Sequence, residues 1–241
     1  AYGGPDASAT GCVIDAVCVA AGAPSPERSC FFCNPSEEVA GFSAHAFNDS
    51  FEVGAGRMLV EKLTPSSASW TISAARAATG ARSLYFGDAA LHSYDVGERA
   101  AARALTPPLA VPPSQGGLAL TLTFQLFADT EETPGFDRLR VLVLPRDDSA
   151  AEPRVVWSSD DIGGTTLGEF LPIAVALGPI EAGQRVALEA DSVDDIINGF
   201  EGFYLDDVAL RSDCCDAAHP CDDGNACTTD VCDGGACGFS A

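Results

Sequence analysis

Basic side chains are scarce in this chain of 241 residues, and their scarcity excludes whole classes of partner. Thirteen Lys and Arg stand against 35 Asp and Glu, so the formal net charge is −22, and Lys62 is the single lysine. Contacts to a nucleic-acid backbone are made by Lys and Arg, so the sequence argues against DNA or RNA as a partner. The same charge disfavours an anionic membrane surface, whereas it favours solubility and divalent cations.

Long apolar runs and assembled catalytic motifs are also missing. No apolar run is long enough to cross a bilayer, so membrane insertion is not expected. His45, His92 and His219 are far apart, and there is no Gly-x-Ser-x-Gly elbow, His-Glu-x-x-His pair or phosphate-binding loop. Paired acids could suggest a glycosidase, but an acidic chain produces such pairs by composition, mostly in turns. We therefore expect a protein that is not an enzyme.

Cysteine is absent from the middle of the chain, and all ten cysteines lie near its two ends. An even number in clusters is typical of disulfides formed in an oxidising compartment, which predicts a secreted or extracellular-surface protein. Four of them belong to an N-terminal unit, residues 1–47, in which Gly and Pro predict loops and turns. Of the three possible pairings we expect Cys12–Cys30 with Cys18–Cys33, and a zinc site made by the four thiolates is the alternative.

The middle of the chain, residues 48–211, has the pattern of one antiparallel β domain. In its clearest strand, Leu118–Leu126, Leu and Phe alternate with Ala, Thr and Gln. Pro and Gly pairs separate many short strand candidates, which predicts an all-β jelly-roll sandwich. Ser73–Ala81 is rich in alanine, but we favour a loop or strand edge over a helix. The other candidate strands are Arg57–Leu63, Ser69–Ser73, Arg82–Phe86, Leu139–Leu144, Arg154–Trp157, Leu171–Leu177 and Arg185–Ala190.

The closing stretch, Gly202–Leu210, leads to the sharpest physical expectation. In a regular strand Asp207 shares one face with Phe203, and Asp206 shares the other with Tyr204. Whichever face packs on the core therefore brings a carboxylate to it. An unpaired buried carboxylate is too costly to keep, so it needs a cation, an arginine or several backbone N–H donors. Calcium suits such an oxygen-rich site, and an arginine or backbone partner is the alternative.

Three passages of the middle region resemble a known domain type. They are Ser50-Phe51-Glu52 followed by Trp70, then Ser83–Asp88 with Tyr94-Asp95 and Leu105–Leu109, and finally Gly202–Val208. Together they are similar to the MAM-like jelly-roll modules found beside secreted bacterial peptidases such as immune inhibitor A, and in cell-surface proteins. The resemblance implies an antiparallel jelly roll, often with structural calcium, and an accessory or adhesive role. By position it implies four cation ligands: Glu52, Asp88, Asp206 and Asp207.

The last residues, 212–241, hold six cysteines in a short acidic tail that cannot build an ordinary core. From Cys221 to Cys232 the tail resembles the Cys-x-Asp-x-x-x-Cys-Thr-x-Asp-x-Cys repeats of large secreted proteins, and residues 1–47 look like the segment that commonly follows such repeats. The end of one copy therefore continues naturally into the beginning of another. This pattern predicts a secreted structural protein whose Cys-rich ends join copies head to tail into an extracellular filament.

An adhesive or carbohydrate-binding module of a larger secreted protein is the alternative function. Its partner would be cell-surface carbohydrate, held in an exposed aromatic cleft. Aromatic rings can stack on pyranose faces, and the candidates are Trp70, Trp157, Tyr85, Tyr94 and Tyr204. Core packing is the competing explanation for most of these side chains, because large aromatics mainly supply buried area.

Overall fold

The computed structural model describes residues 11–26, 31–54, 56–111, 118–133, 135–147, 149–212, 229–233 and 236–240. Within these ranges the regular structure is β, apart from one turn of 3-10 helix at Ser159–Ile162. The strands in chain order are β1 (Gly11–Ile14), β2 (Val17–Ala20), β3 (His45–Asp49), β4 (Leu59–Lys62), β5 (Ser69–Ser73), β6 (Ser83–Gly87), β7 (Ala101–Leu105), β8 (Leu118–Asp129), β9 (Arg138–Leu144), β10 (Arg154–Ser158), β11 (Leu171–Ile180), β12 (Arg185–Asp191), β13 (Gly202–Ser212), β14 (Thr229–Asp233) and β15 (Ala236–Ser240).

Two antiparallel sheets make up the middle domain. One sheet has the strand order β10-β9-β12-β7-β4, and the other has the order β11-β8-β13-β6-β5, with β3 also paired to β13. Except for the consecutive pairs β9–β10 and β5–β6, neighbouring strands come from distant parts of the chain, so the sheets are held together mainly by long-range pairing. The predicted all-β, antiparallel jelly-roll sandwich is confirmed.

The core lies between the sheets because alternate strand residues are apolar. In β8 the side chains of Leu120, Leu122, Phe124 and Leu126 are at most 2% exposed, whereas the intervening residues are half-buried. Apolar area removed from water is the main favourable contribution to folding, so this face specifies the register of the strand. The predicted loop after Ser73 is also confirmed, since β5 ends there and β6 begins at Ser83.

The N-terminal unit contains the hairpin of β1 and β2 and one disulfide, which joins Cys12 to Cys33. The predicted pairs Cys12–Cys30 and Cys18–Cys33 are therefore wrong, and so is a zinc site made by all four thiolates. The register explains the difference, because Cys12 lies opposite Val19 and Cys18 lies one position along, on the other face of the hairpin. Cys12 is buried on the inner face, Cys18 is exposed, and Cys30 lies outside the described residues.

In the acidic tail the described residues are the backbone of the hairpin β14–β15, in which Cys232 lies opposite Cys237. The remaining tail cysteines fall outside the described residues, so their pairing stays a prediction. Across the described ranges, no helix has both the length and the apolar character needed to span a membrane.

Candidate functional site

Asp206 in β13 is buried, with 0% of its surface exposed, and its carboxylate accepts hydrogen bonds from three backbone N–H groups. Its Oδ2 accepts from the N–H of Ala78 at 2.8 Å and of Thr79 at 3.0 Å, and its Oδ1 accepts from the N–H of Asp207 at 2.8 Å. Desolvation raises the pKa of this carboxyl, and the three N–H donors act in the opposite direction. Of the partners predicted for a buried acid in this strand, backbone donors are the ones present.

A β-bulge corrects the predicted faces of the closing strand. The register of β13 against β8 shifts between Asp206 and Ala209, and Asp207 adopts a left-handed φ of 48°. The extra residue changes which side of the sheet the following side chains face, so Leu205 and Val208 both enter the main core. The bulge therefore removes Asp207 from the core face, where a regular strand would place it beside Leu205. Asp206 lies on the outer face with Tyr204, buried beneath the loop that follows β5.

Glu52 holds the end of the same loop. Its Oε1 accepts from the N–H groups of Ala81 at 3.0 Å and Arg82 at 2.8 Å, and these bonds lower its pKa. Gly80 has a φ of 60°, which favours glycine, and a Cβ there would lie 2.5 Å from the Cδ of Glu52, so the carboxylate would have to move. The hydroxyl of Thr79 also donates to the carboxylate of Asp207, at 2.9 Å. Three of the four predicted ligands thus meet at one five-residue segment.

Asp88, the fourth predicted ligand, closes a turn of its own. Its Oδ1 accepts from the N–H groups of Ala90 at 2.9 Å and Leu91 at 3.2 Å. A hydrogen bond from Ser67 is the largest cause of its lowered pKa, ahead of these two backbone bonds. In the part of the chain that the structure describes, no group of three His, Cys, Asp or Glu is placed to hold a metal ion.

The aromatic candidates for sugar stacking are mostly core residues. Trp70, Tyr85, Tyr94 and Tyr204 are at most 4% exposed, which confirms core packing as the explanation for them. Trp157 is half-buried and packs edge-on against the main-core ring of Phe124, with ring centroids 5.9 Å apart. None of these five predicted side chains forms an open platform.

A second aromatic cluster lies on the outer face of the six-stranded sheet. The rings of Tyr85 and Tyr204 stack with centroids 4.5 Å apart, and Phe127 meets Tyr204 edge-on at 5.7 Å. The guanidinium of Arg76 covers Phe127 at 4.1 Å and pairs with the carboxylate of Glu201 at 2.7 Å. The cluster is therefore capped by an ion pair and serves packing.

A row of alternating charges crosses the outer face of the five-stranded sheet. Glu189 of β12 lies opposite Arg103 of β7 and Arg140 of β9, and its side chain is 3% exposed. One carboxylate oxygen accepts from Arg103 Nε at 2.7 Å, and the other pairs with Arg140. Both oxygens are thus taken up inside the sheet, and the row stabilises strand pairing instead of offering a free acceptor. Charges at alternate positions of these strands were the sequence signal for it.

A cleft opens where three loops meet at one end of the sandwich, and sequence reasoning missed it. The loops follow β8 and precede β11 and β13, which are antiparallel to β8 and so begin at the end where β8 finishes. The cleft is lined by Asp129, Thr130, Glu131, Glu132, Thr133, Thr165, Leu167, Gly168, Ile197 and Phe200.

Two apolar side chains project at this cleft from strained backbone. Leu167 is 82% exposed with a φ of 55°, and Ile197 is 65% exposed with a φ of 59°. A left-handed conformation is uncommon for any residue with a Cβ and is a clear outlier for β-branched isoleucine. Such conformations cost about 1–3 kcal/mol each, so the surrounding fold must enforce them. No local sequence pattern signals a left-handed leucine or isoleucine.

A buried acid lies directly behind the cleft residue Glu131. Asp137 is 2% exposed, and its Oδ2 accepts from the hydroxyl of Tyr94 at 2.6 Å and from the N–H of Glu131 at 3.3 Å. Its Oδ1 is buried without a hydrogen-bond partner among the described residues, and so is the Oδ1 of Asn198, next to Ile197. Desolvation raises the pKa of Asp137 to about 6, and the nearby acids Glu131 and Asp194 add to the effect.

Comparison with known proteins identifies no sequence family, because no family model matches the chain. No curated protein matches it either. Among solved structures, the chain is similar to the CBM22-1 xylan-binding domain of Xyn10C from Paenibacillus barcinonensis, with 12% identity and a TM-score of 0.45, covering 70% of this chain and 94% of that one.

Two further structures show a similar degree of likeness. The K1 cleaved adhesin domain of Lys-gingipain from Porphyromonas gingivalis W83 has 14% identity and a TM-score of 0.46, covering 69% of this chain and 97% of that one. A carbohydrate-binding module of the β-sandwich superfamily has 13% identity and a TM-score of 0.47, covering 72% of this chain and 64% of that one. The neighbours are binding or adhesin modules, and a likeness at this level says nothing about the ligand of this chain.

Proposed function

We propose that this chain is a non-catalytic, adhesive module of a secreted protein, and that it binds carbohydrate in the cleft between residues 129–133, 165–168 and 197–200. The strained, exposed side chains of Leu167 and Ile197 carry the proposal. An apolar side chain held in water on an unfavourable backbone contributes nothing to folding. Its retention at the rim of a cleft supports a role in binding.

Carbohydrate suits the mixed lining of this cleft. A sugar ring offers apolar C–H faces together with hydroxyl groups that both donate and accept hydrogen bonds. The side chains of Leu167, Ile197 and Phe200 supply apolar contact, while the carboxylates and threonine hydroxyls of residues 129–133 supply polar partners. A few convergent polar groups among apolar ones are typical of small-ligand sites.

Asparagine substitutions test the proposal, because asparagine tolerates the left-handed region better than leucine or isoleucine. We expect Leu167→Asn and Ile197→Asn to lower glycan binding in an array or pull-down while the melting temperature stays the same or rises. Leu91→Asn is the matched control, since Leu91 is 61% exposed and does not line the cleft. Unchanged binding in both cleft variants would exclude this site, and a wild-type chain that binds no glycan would exclude the function.

Calcium at the predicted carboxylates remains a prediction of ours. Glu52, Asp206 and Asp207 hold one loop, which favours a shared role, but the backbone N–H groups already occupy three of their oxygens. A bound ion would therefore have to share or displace these donors, and Asp88 belongs to a different turn. A calcium titration followed by melting temperature tests the point, because a ligand of the folded state must stabilise it. A rise that is lost in Glu52→Gln would support calcium, and no rise would exclude it.

Head-to-tail assembly through the Cys-rich ends also stays a prediction, because most of the tail lies outside the described residues. Electron microscopy of the purified protein distinguishes the two functions. Regular fibres in which one tail touches the next N-terminal unit would support the filament. Monomers that bind glycan would favour the adhesive module.

A further inference from the structure

The cleft carries negative charge, and the described residues that line it include no positively charged side chain. The carboxylates of Asp129, Glu131 and Glu132 are three of its ten lining side chains, and the other seven are Thr, Leu, Gly, Ile and Phe. Behind the lining, Asp137 and Asp194 add further acids. The cleft therefore presents a negative field within a chain that is already strongly acidic.

The polar groups of the lining are not equally available to a ligand. Asp129 Oδ2 accepts from the N–H of Glu201 at 3.0 Å, and the hydroxyls of Thr130 and Thr165 donate to backbone carbonyls. Glu132 is exposed, and no hydrogen bond from a described residue reaches its carboxylate. Glu132 is thus the acceptor best placed to meet a hydroxyl or ammonium group of a bound sugar.

The basic side chain of Arg76 interacts electrostatically with the cleft acid Asp129, but it is already paired with Glu201. Its guanidinium donates to both oxygens of Glu201 at 2.7–3.0 Å and lies over the ring of Phe127. A guanidinium held by a carboxylate and an aromatic face is not free to bind an acidic sugar. A carboxylate or sulfate group entering the cleft would therefore meet acids without a compensating cation.

We infer that the cleft selects glycans that lack acidic groups, and that Glu132 enforces this selection by accepting from sugar hydroxyl or ammonium groups and repelling sugar carboxylates. The inference rests on the proposed carbohydrate function of the same cleft. Charge-assisted hydrogen bonds to neutral or cationic donors stabilise the complex, whereas like charges in a partly desolvated site oppose it. Selection of this kind depends as much on the repulsive contact as on the attractive one.

Three oligosaccharides of equal length test the inference: oligomers of glucose, of glucosamine and of glucuronic acid. We expect the glucose and glucosamine oligomers to bind, and the glucuronic acid oligomer to bind about tenfold more weakly at low salt, since like charges oppose it. High salt should narrow the difference because exposed charges are screened. At low salt, Glu132→Gln should reduce the difference in affinity between the glucuronic acid oligomer and the other two. Glu152→Gln, which changes an exposed acid on another loop, should leave that difference unchanged.

The outcomes separate this inference from the function on which it rests. Equal binding of all three oligomers would overturn the selection and leave carbohydrate binding intact. Binding of none of them, together with an empty glycan array, would overturn the function itself. If the difference in affinity among the oligomers is unchanged in Glu132→Gln, then Glu132 does not cause the selection. Binding of the glucuronic acid oligomer alone would contradict the charge argument outright.

Discussion

Replacing Asp137 by asparagine should stabilise the protein at neutral pH. The wild-type carboxyl is 2% exposed, and its Oδ1 has no hydrogen-bond partner among the described residues. Above its pKa the folded protein must keep a charge in that place, which is unfavourable relative to water. An asparagine is neutral and keeps one oxygen that can accept from the hydroxyl of Tyr94 and the N–H of Glu131.

The raised pKa of Asp137 sets the size and the sign of the effect. Burial raises this pKa from 3.8 to about 6, and each unit corresponds to about 1.4 kcal/mol, so the ionised group opposes folding by ~3 kcal/mol at high pH. Because the pKa of Asp137 is higher in the folded state, protonation of this carboxyl favours folding. This contribution to stability is complete below the unfolded-state pKa of 3.8 and is lost as the pH rises through about 6. The benefit of asparagine should therefore be small near pH 4 and largest above about pH 7.

Urea unfolding followed by tryptophan fluorescence between about pH 4 and pH 8 measures this dependence. The control is Asp95→Asn, because Asp95 is exposed. We expect the Asp137 variant to gain stability over wild type as the pH rises, while the control stays parallel to wild type. A difference that is the same at every pH, or a variant that loses more stability at pH 8 than at pH 4, would refute the assignment of a buried, unsatisfied carboxylate.

Three further substitutions probe the closing strand, each measured by urea unfolding against wild type. Gly202→Ala should destabilise the protein by ~3 kcal/mol or more, because Gly202 has a φ of 109° and a Cβ would lie 2.4 Å from the carbonyl oxygen of Phe86. A loss of stability below ~1 kcal/mol would contradict that clash. Asp206→Ala should lower the free energy of unfolding by ~3 kcal/mol, because it leaves three N–H donors without their acceptor. Asp207→Ala changes a half-buried side chain and should lower it less. Equal losses of stability in the two variants would contradict the special role of Asp206.

The sequence by itself determined the class of fold, because the local alternation of apolar and polar residues specifies the strands. The alternating Leu and Phe of β8 fix which face is buried, and Pro and Gly pairs mark the breaks between strands. Charge alone argued against nucleic-acid partners. The sequence also showed that a carboxylate near Tyr204 and Leu205 needs a partner, because burying an unpaired charge is costly in any fold.

The tertiary structure decided where these groups point and what meets them. A one-residue bulge at Asp207 changes the faces of β13, which no alternation rule can show. The donors to Asp206 come from Ala78 and Thr79, 128 and 127 residues away, so only the folded chain brings them there. The Cys12–Cys33 pair and the cleft at Leu167 arise in the same way, because both bring together segments that meet only in the folded chain.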